Sequence, residues 1–502
     1  MHIGVKLAQL ARWHPDRAAI VDDRRACSFG QFYSRITRLG NALHGIGLNR
    51  GDRVALLIPD IREYLEADYG IMAAGFVRAP VDPRLTPREL IELLRFAGAR
   101  ALITHESFAE KVAGLANEVE TLDHTITIGR GPGFAYEALL EISSERPLPE
   151  GEADDLATLN FSGGTTGAPK AVMLRHRNLM MVAQNTIHGF EIHSDAVFLN
   201  VRPLWPIAQV ILMSHLFAGA TLVLGGRSDP DQLAALIQQS GATRTSLVPT
   251  QLVRGLNHVR AGDSRLTRLQ TIYVGGSRIP LPVFERALDL LGPRIGVLYG
   301  MTEAPVTCYL PPQRLAEADR AHLMQSVGRE LSGYQIRIAA GEGRAAPATP
   351  GEVLVRGGNV MAGYWRNGAA TAAALRDGWL HTGDIGQLDE HGNLSIVGRL
   401  NDVIRSGSTS IMPREVEDVI GAHPAVGDVA VIGLPDTEWG EVVAAFVVLK
   451  PGMAASESDL VEHCRLHLAS YKKPRAVRFV ASLPRSHYGK VIRAQLLAQA
   501  QS

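Results

Sequence analysis

The chain has 502 residues, with 51 basic and 51 acidic side chains in balance, so no global field draws it toward nucleic acid or an anionic bilayer. Its 46% apolar and 20% charged residues suit a soluble globular protein and give no sign of disorder, and the length predicts two to four domain-sized units. Cys27, Cys308 and Cys464 lie far apart without metal-ligand spacing, which argues against a disulfide framework or a zinc site and for a reducing, cytoplasmic compartment.

Residues 1–6 lead into an amphipathic pattern interrupted by Arg12, His14 and Pro15, so no signal peptide is expected. The spacing predicts a helix over 29–46 ended by Gly47, a buried strand over 54–58 and a helix over 62–74 before Gly75. Similar alternation continues with brief apolar strands at 197–199, 221–224, 245–248, 271–274 and 296–298, the pattern of parallel strands buried on both faces and covered by helices. The most apolar stretch, 210–224, contains Ser214 and His215 and falls short of the roughly 20 residues a bilayer span needs. It reads as a buried core segment, with no membrane span.

Past about residue 330 the character changes to antiparallel strands at 335–339, 351–356 and 394–397, with a Pro/Gly/Ala-rich connection over 341–351. From residue 401 a compact mixed unit is expected: a helix over 414–422 begun by Pro413, strands 429–433 and 442–449, a helix over 457–468 and a strand over 477–480. The predicted fold class is α/β: a large N-terminal domain of helix-covered sheets with a β-rich subdomain, 1–400, then a small α+β C-terminal domain, 401–502.

Chemistry concentrates in a few segments. Ser162-Gly163-Gly164-Thr165-Thr166-Gly167-Ala168-Pro169-Lys170 follows the apolar run 156–161. Its glycines let backbone N–H groups approach an anion, its hydroxyls add rotatable donors and its lysine adds a mobile charge, so the segment reads as a polyphosphate grip. It is not a Walker loop, because Ala168 and Pro169 separate Gly167 from Lys170; a flexible surface loop is the bland alternative. Tyr299-Gly300-Met301-Thr302-Glu303 follows the 296–298 strand, where open α/β sheets bind ligands, although alone it could be a strand-end turn with a solvated glutamate. Trp379-Leu380-His381-Thr382-Gly383-Asp384, then Arg399, then Pro413, Glu415 and Glu417, and finally Pro484-Arg485-Ser486-His487-Tyr488-Gly489-Lys490 complete the series.

In this order the motifs resemble those of the acyl-adenylating (AMP-forming) superfamily, which includes acyl- and aryl-CoA ligases, luciferases and the adenylation domains of peptide synthetases. The resemblance implies that the 162–170 segment and Lys170 hold the phosphates of ATP, that Tyr299 stacks on adenine, and that Thr302 touches phosphate while Glu303 holds Mg²⁺. It further implies that Asp384 takes the ribose hydroxyls, that Arg399 helps hold ribose and phosphate, and that Lys490 is the adenylation lysine of a mobile C-terminal domain. A carboxylate suits a vicinal diol because it accepts two hydrogen bonds at once, and a hard cation on one carboxylate and phosphate oxygens is ordinary magnesium chemistry. Asn401 stands at the family's hinge. Trp205, Pro206, Ile207, Gly276 and Gly300 fall among the acid-pocket positions, Ser408 and Trp439 in the acceptor channel, and Arg84, Trp439, Tyr471 and Lys473 at positions that meet the CoA nucleotide in some aryl-CoA ligases.

Several residues depart from the family pattern. Pro206 replaces a histidine and Gln209 a glycine in Pro203-Leu204-Trp205-Pro206-Ile207-Ala208-Gln209, which implies an altered acid pocket; Ala171 replaces a glycine without expected consequence. Ser408 stands where a glycine usually lines the pantetheine tunnel, and its side chain would narrow that passage. The expected activity is therefore an ATP-dependent carboxylic acid ligase that passes its acyl-adenylate to the CoA thiol, with direct transfer to an amine as the alternative and a carrier protein as a further acceptor. A nucleotide-binding module without turnover is disfavoured by Lys170, Glu303, Asp384 and Lys490. Few charges fall near the pocket segments, so an aromatic or other apolar acid is expected, unless Arg202 or Arg278 points inward.

Overall fold

The structure is a computed structural model and describes residues 1–23, 25–162, 170–205, 209–226, 230–316, 320–339, 346–407, 409–485 and 491–501. Among these residues four sheets form. The first has nine strands: its centre, Ala18–Val21, Thr221–Leu224, Val197–Asn200, Arg244–Leu247, Thr271–Val274 and Ile295–Met301, is parallel throughout, and antiparallel strands close both edges. The second has eight strands and a parallel run Leu156–Ser162, Val77–Pro80, Arg53–Leu57, Ala99–His105, His124–Ile128 and Phe134–Ala135. Helices cover these sheets because their apolar residues recur every three or four positions. In Phe29–Gly45, begun by a Ser28/Gln31 capping box, the buried stripe is Phe29, Phe32, Ile36, Leu39 and Leu43.

The 210–224 stretch resolves into the helix Gln209–Phe217, in which Leu212, Ser214, His215 and Leu216 are fully buried, and the strand Thr221–Leu224. Among the described residues no helix is long and apolar enough to cross a membrane. The third sheet is antiparallel and joins Tyr334–Ala339, Gly351–Gly357, Trp379–Leu388 and Leu394–Arg399. The turn Leu400–Asp402 then leads into the fourth sheet, where Val426–Asp436 pairs antiparallel and Ala476–Phe479 parallel with Gly440–Leu449. The helices Pro413–Gly421 and Glu457–His467 help build a separate core around Ile404, Val416, Ile420, Val443 and Leu460.

Two expected elements are present and carry features the sequence did not indicate. The strand foreseen at 296–298 extends to Met301 and turns back at Thr302-Glu303 into Ala304–Leu310, a buried antiparallel strand not foreseen in the sequence. The helix foreseen over 62–74 is present as Arg62–Ala73, but every residue in it is buried, its charged ones included.

Three histidines are packed where an added proton is unwelcome. His215 stacks on Phe198 with ring centroids 4.3 Å apart and donates from Nδ1 to the Ile211 carbonyl at 2.8 Å; burial lowers its pKa to about 3. His2 packs against His176 with tilted rings and centroids 3.7 Å apart, and burial lowers these two to about 4 and about 2. Below the ordinary histidine value near 6.5 the unfolded chain gains protons that the folded chain refuses, so the stability these rings contribute above that pH is lost as pH falls toward the folded values. Several buried carboxylates work in the opposite sense, so the comparison is made against a variant. His215→Leu should lose less melting temperature than wild type between about pH 7.5 and 5.5, as read by thermal denaturation; an equal loss would remove His215 as a contributor.

Candidate active site

The predicted phosphate segment is framed by two strands. Leu156–Ser162 and Lys170–Arg175 form an antiparallel ladder in which Ser162 faces Lys170. Gly163, Gly164, Thr165, Thr166 and Gly167 lie outside the described residues, so the structure places only the frame. Behind it, Asn160 accepts from Arg78 Nη1 at 3.1 Å, and Thr158 accepts from the same nitrogen at 3.0 Å.

The 299–303 motif is carried by the hairpin of Ile295–Met301 and Ala304–Leu310. The register slips between Tyr299 and Met301, and a Cβ on Gly300 would lie 2.5 Å from the Val306 nitrogen. Val306 opposite holds a φ of +46°, a left-handed conformation costly for a β-branched residue and typical of sites that trade stability for geometry. The bulge leaves Thr302-Glu303 as the turn. Asn359 braces it from behind, donating to the Pro305 carbonyl and to Thr307 Oγ1.

Two polar clusters stand on this hairpin. In one, the Tyr299 hydroxyl donates to Asp384 Oδ2 at 2.7 Å while Arg399 Nε lies 3.0 Å from Oδ1. Asp384 and Arg399 face each other across the third sheet, so a residue pair fifteen positions apart becomes a direct ion pair. Asp384 is only 5% exposed, and burial first, then the carboxylate, raises the Tyr299 phenol far above its ordinary range. It therefore remains a donor. In the other cluster, the Tyr364 hydroxyl donates to Glu303 Oε1 at 2.9 Å, and Lys170 Nζ lies 5.6 Å from the centroid of the Tyr364 ring. Sequence reasoning missed Tyr364. Its only signal was an aromatic residue following Gly363, and the partners that give it meaning are 61 residues away at Glu303 and farther still at Lys170.

The donor set fits the groups the sequence suggested. Glu303 is buried at 9% exposure with one carboxylate oxygen held by a phenol; among the described residues no hydrogen bond reaches the second, an oxygen of the type a hard cation takes. Asp384 offers two oriented carboxylate oxygens of the kind a diol requires.

The pocket residues are less completely placed. Trp205 is half-buried and packs against the main core, and the preceding turn is held by the Leu204 N–H donating to Asp60 Oδ1 at 2.7 Å. Pro206 and Ile207 lie outside the described residues. Gly276 is exposed with a φ of +90°, and a Cβ there would meet open space. Arg202 donates to Ser246 Oγ at 3.2 Å and Arg278 pairs with Asp418 of the C-terminal domain at 2.6 Å, so both guanidiniums are engaged by protein groups.

On the C-terminal side, Asn401 is exposed in the Leu400–Asp402 turn. Trp439 is 38% exposed, accepts at its carbonyl from the Gly407 N–H at 2.7 Å and carries the Arg475 guanidinium 4.9 Å above its ring. Arg84 is held by Asp82 through two hydrogen bonds of 2.9 and 2.6 Å, and Tyr471 is exposed. Neither Trp439 nor Asn401 bonds to the two clusters among the described residues. Ser408 and Lys490 lie outside those residues, but the frame of the lysine segment is clear: Arg485 bridges to Val491, and the Ile492 N–H donates to the Pro484 carbonyl at 2.8 Å.

Comparison with known proteins agrees with this geometry. Residues 7–365 match the AMP-binding enzyme family and residues 415–490 its C-terminal domain, and the chain belongs to that family. It is 34% identical to a feruloyl-CoA synthase from Amycolatopsis over 97% of this chain and 96% of that protein. Among solved structures it resembles ATP-bound MatB from Rhodopseudomonas palustris, with a TM-score of 0.90 and 28% identity covering 100% of this chain and 99% of the other. It also resembles the amide bond synthetase McbA from Marinactinospora thermotolerans, with a TM-score of 0.91 and 26% identity over 99% and 100%. The protein is an AMP-forming, adenylate-forming acid ligase.

Proposed function

We propose that this ligase activates an aromatic or otherwise apolar carboxylic acid with ATP and transfers the acyl group to the thiol of CoA. The observation that carries the nucleotide half is the pair of clusters on one hairpin, with Asp384 oriented for ribose and Glu303 oriented for the phosphate side. A carboxylate oxygen of the acid attacks the α-phosphorus, the bond to the β-phosphate breaks and pyrophosphate leaves. Lys170 and Lys490 offset the charge that accumulates on the phosphates in that step. Magnesium, held by Glu303, would supply further neutralisation of phosphate charge. In the second step the thiol sulfur bonds to the acyl carbon, its proton is lost and AMP departs with the bonding pair.

The hinge belongs to this reading. Asn401 sits in the turn between the third and fourth sheets, and rotation there, with 1–400 and 401–502 as the moving bodies, exchanges Lys490 for the acceptor channel. For CoA, Trp439 with Arg475 above its ring and the exposed Tyr471 provide an aromatic, cationic surface suited to a nucleotide. The apolar acid is supported by the half-buried Trp205 and by the engagement of Arg202 and Arg278 with protein groups. A second acceptor, a compact amine, is favoured by Ser408 where relatives with a pantetheine tunnel usually have glycine, and by the likeness to an amide bond synthetase.

Pyrophosphate release across a panel of acids, with CoA and amines added separately, tests the whole reading. Ser408→Gly sharpens it. With CoA as acceptor, removing a side chain from the channel should preserve or raise thioester formation. An amine acceptor predicts little thioester from the wild-type enzyme. The CoA reading falls if saturating CoA leaves adenylate turnover unchanged while a simple amine accelerates it, with the amide identified by mass.

A further inference from the structure

Tyr364 sits where the phosphate side of the site is assembled, yet nothing in the motif series gives it a task. Its backbone is fastened on every side. Gly363 and Tyr364 pair antiparallel with Met173 and Val172 of the Lys170–Arg175 strand, and the Trp365 N–H donates to the Ala171 carbonyl at 2.8 Å. The Tyr364 N–H donates to Thr371 Oγ1 at 2.9 Å. Gly363 adopts a φ of +140°, and a Cβ there would lie 2.7 Å from Thr371 Cγ2, so the approach to Tyr364 requires glycine. On the other side the Met361 N–H donates to the backbone carbonyl of Glu303 at 2.8 Å. The segment 361–365 thus joins the strand that begins with Lys170 to the turn that carries Glu303, and the Tyr364 side chain reaches between them.

The ring and the hydroxyl do different things. The hydroxyl donates to Glu303 Oε1 at 2.9 Å. A buried carboxylate oxygen is costly to leave without a hydrogen-bond donor, and the phenol supplies one. The ring face lies 5.6 Å from Lys170 Nζ, within the reach of a cation–π contact. One side chain therefore orients a carboxylate at its polar tip and an ammonium at its π face.

We propose that Tyr364 is a positioning residue that sets Glu303 and Lys170 against the polyphosphate of ATP, its hydroxyl aiming the carboxylate at the metal-bearing side and its ring steadying the lysine. This rests on the reading of Glu303 and Lys170 as phosphate-side groups, and the two halves are separable. Tyr364→Phe removes only the hydroxyl; Tyr364→Leu removes the ring as well.

Calorimetric titration of ATP into the acid-free protein at varied Mg²⁺, with adenosine titrated in parallel, reads both halves without turnover. A charge-assisted hydrogen bond of ordinary strength predicts a rise of roughly 10-fold in the Mg²⁺ concentration needed for half-maximal ATP binding by Tyr364→Phe. Tyr364→Leu should show that rise together with a further loss of roughly 3-fold in ATP affinity in the absence of Mg²⁺. Adenosine binding should not change in either variant. Glu303→Gln and Lys170→Ala serve as references for the underlying reading. If Glu303→Gln loses Mg²⁺ dependence while Tyr364→Phe behaves as wild type, the positioning role is overturned and the reading of Glu303 stands. If Glu303→Gln itself behaves as wild type, the reading of Glu303 falls and the inference with it. A parallel loss of adenosine binding in Tyr364→Phe would overturn the inference in favour of a merely structural role.

Discussion

Lys490→Ala is expected to cut acid-dependent pyrophosphate release by ~100-fold or more, the effect of losing one charge that acts only where charge develops. Transfer from a supplied acyl-adenylate should continue at close to the wild-type rate. The architecture around the segment says why the two steps should separate. Arg493, three residues beyond Lys490, pairs with Asp402 Oδ2 at 3.0 Å and Glu417 Oε1 at 2.8 Å. Glu417 is half-buried and also accepts from the Val431 N–H at 2.9 Å. Arg485, before the segment, pairs with Asp428 at 2.6 Å. The residues flanking the lysine segment are therefore tied to the small domain, on the C-terminal side to Asp402, the residue beside Asn401, so the segment should follow that domain. Alanine at 490 removes the charge and leaves these ties in place. Normal pyrophosphate release by a folded Lys490→Ala protein, measured in an acid-dependent assay, would remove this lysine from the chemistry.

The elements legible in the sequence were those whose signal is local. Strands Thr221–Leu224 and Thr271–Val274 appear at the expected residues because each is a short apolar run between turn-forming residues. Asp384, Arg399 and Glu303 are assigned from motif order, and the structure pairs Asp384 directly with Arg399. What escaped depends on distant partners. Ala304–Leu310 was hidden because Pro305 argues against a central strand and Thr302-Glu303 lacks the Asn-Gly or Asp-Gly signature of a tight hairpin. Tyr364 was hidden because neither of its partners is near in sequence. The phosphate glycines, Pro206, Ile207, Ser408 and Lys490 lie outside the described residues, so for them the sequence remains the basis of the assignment.

The helix Arg62–Ala73 shows the same gap from the energetic side. Charged residues are seldom fully buried without partners, and Arg62, Glu63, Glu66 and Asp68 are all buried in this helix. Here they have partners. Glu66 pairs with Arg35 at 2.7 Å and accepts from the Tyr136 hydroxyl at 3.2 Å, while Asp68 pairs with Arg78 on the strand Val77–Pro80. These pairings join helix, sheet and neighbouring helices, and none can be deduced from periodicity.

Asp68→Ala should therefore be among the most destabilising single substitutions in the chain. Asp68 and Arg78 are 1% and 4% exposed, and Arg78 also holds Thr158 and Asn160, two residues before Ser162. A cavity of about 30 Å³ lined by Asp68, Arg78, Asn160 and Thr302 adjoins the pair, enough for a bound water but not for bulk hydration of a guanidinium. Truncating Asp68 strands the arginine as a buried cation, a change that typically costs about 3–5 kcal/mol. Replacing both partners by apolar residues of similar volume removes both desolvation penalties at once, so Asp68→Leu/Arg78→Met should recover most of that loss. Urea titration, read at the first unfolding transition because a chain of several domains need not unfold in one step, separates these outcomes. The single substitution should lower the midpoint sharply and the double substitution should restore it. Equal midpoints for wild type and Asp68→Ala would show that Arg78 finds its compensation elsewhere. If the double variant regains stability yet binds ATP more weakly, the contacts of Arg78 with Thr158 and Asn160 serve the phosphate frame as well as the fold.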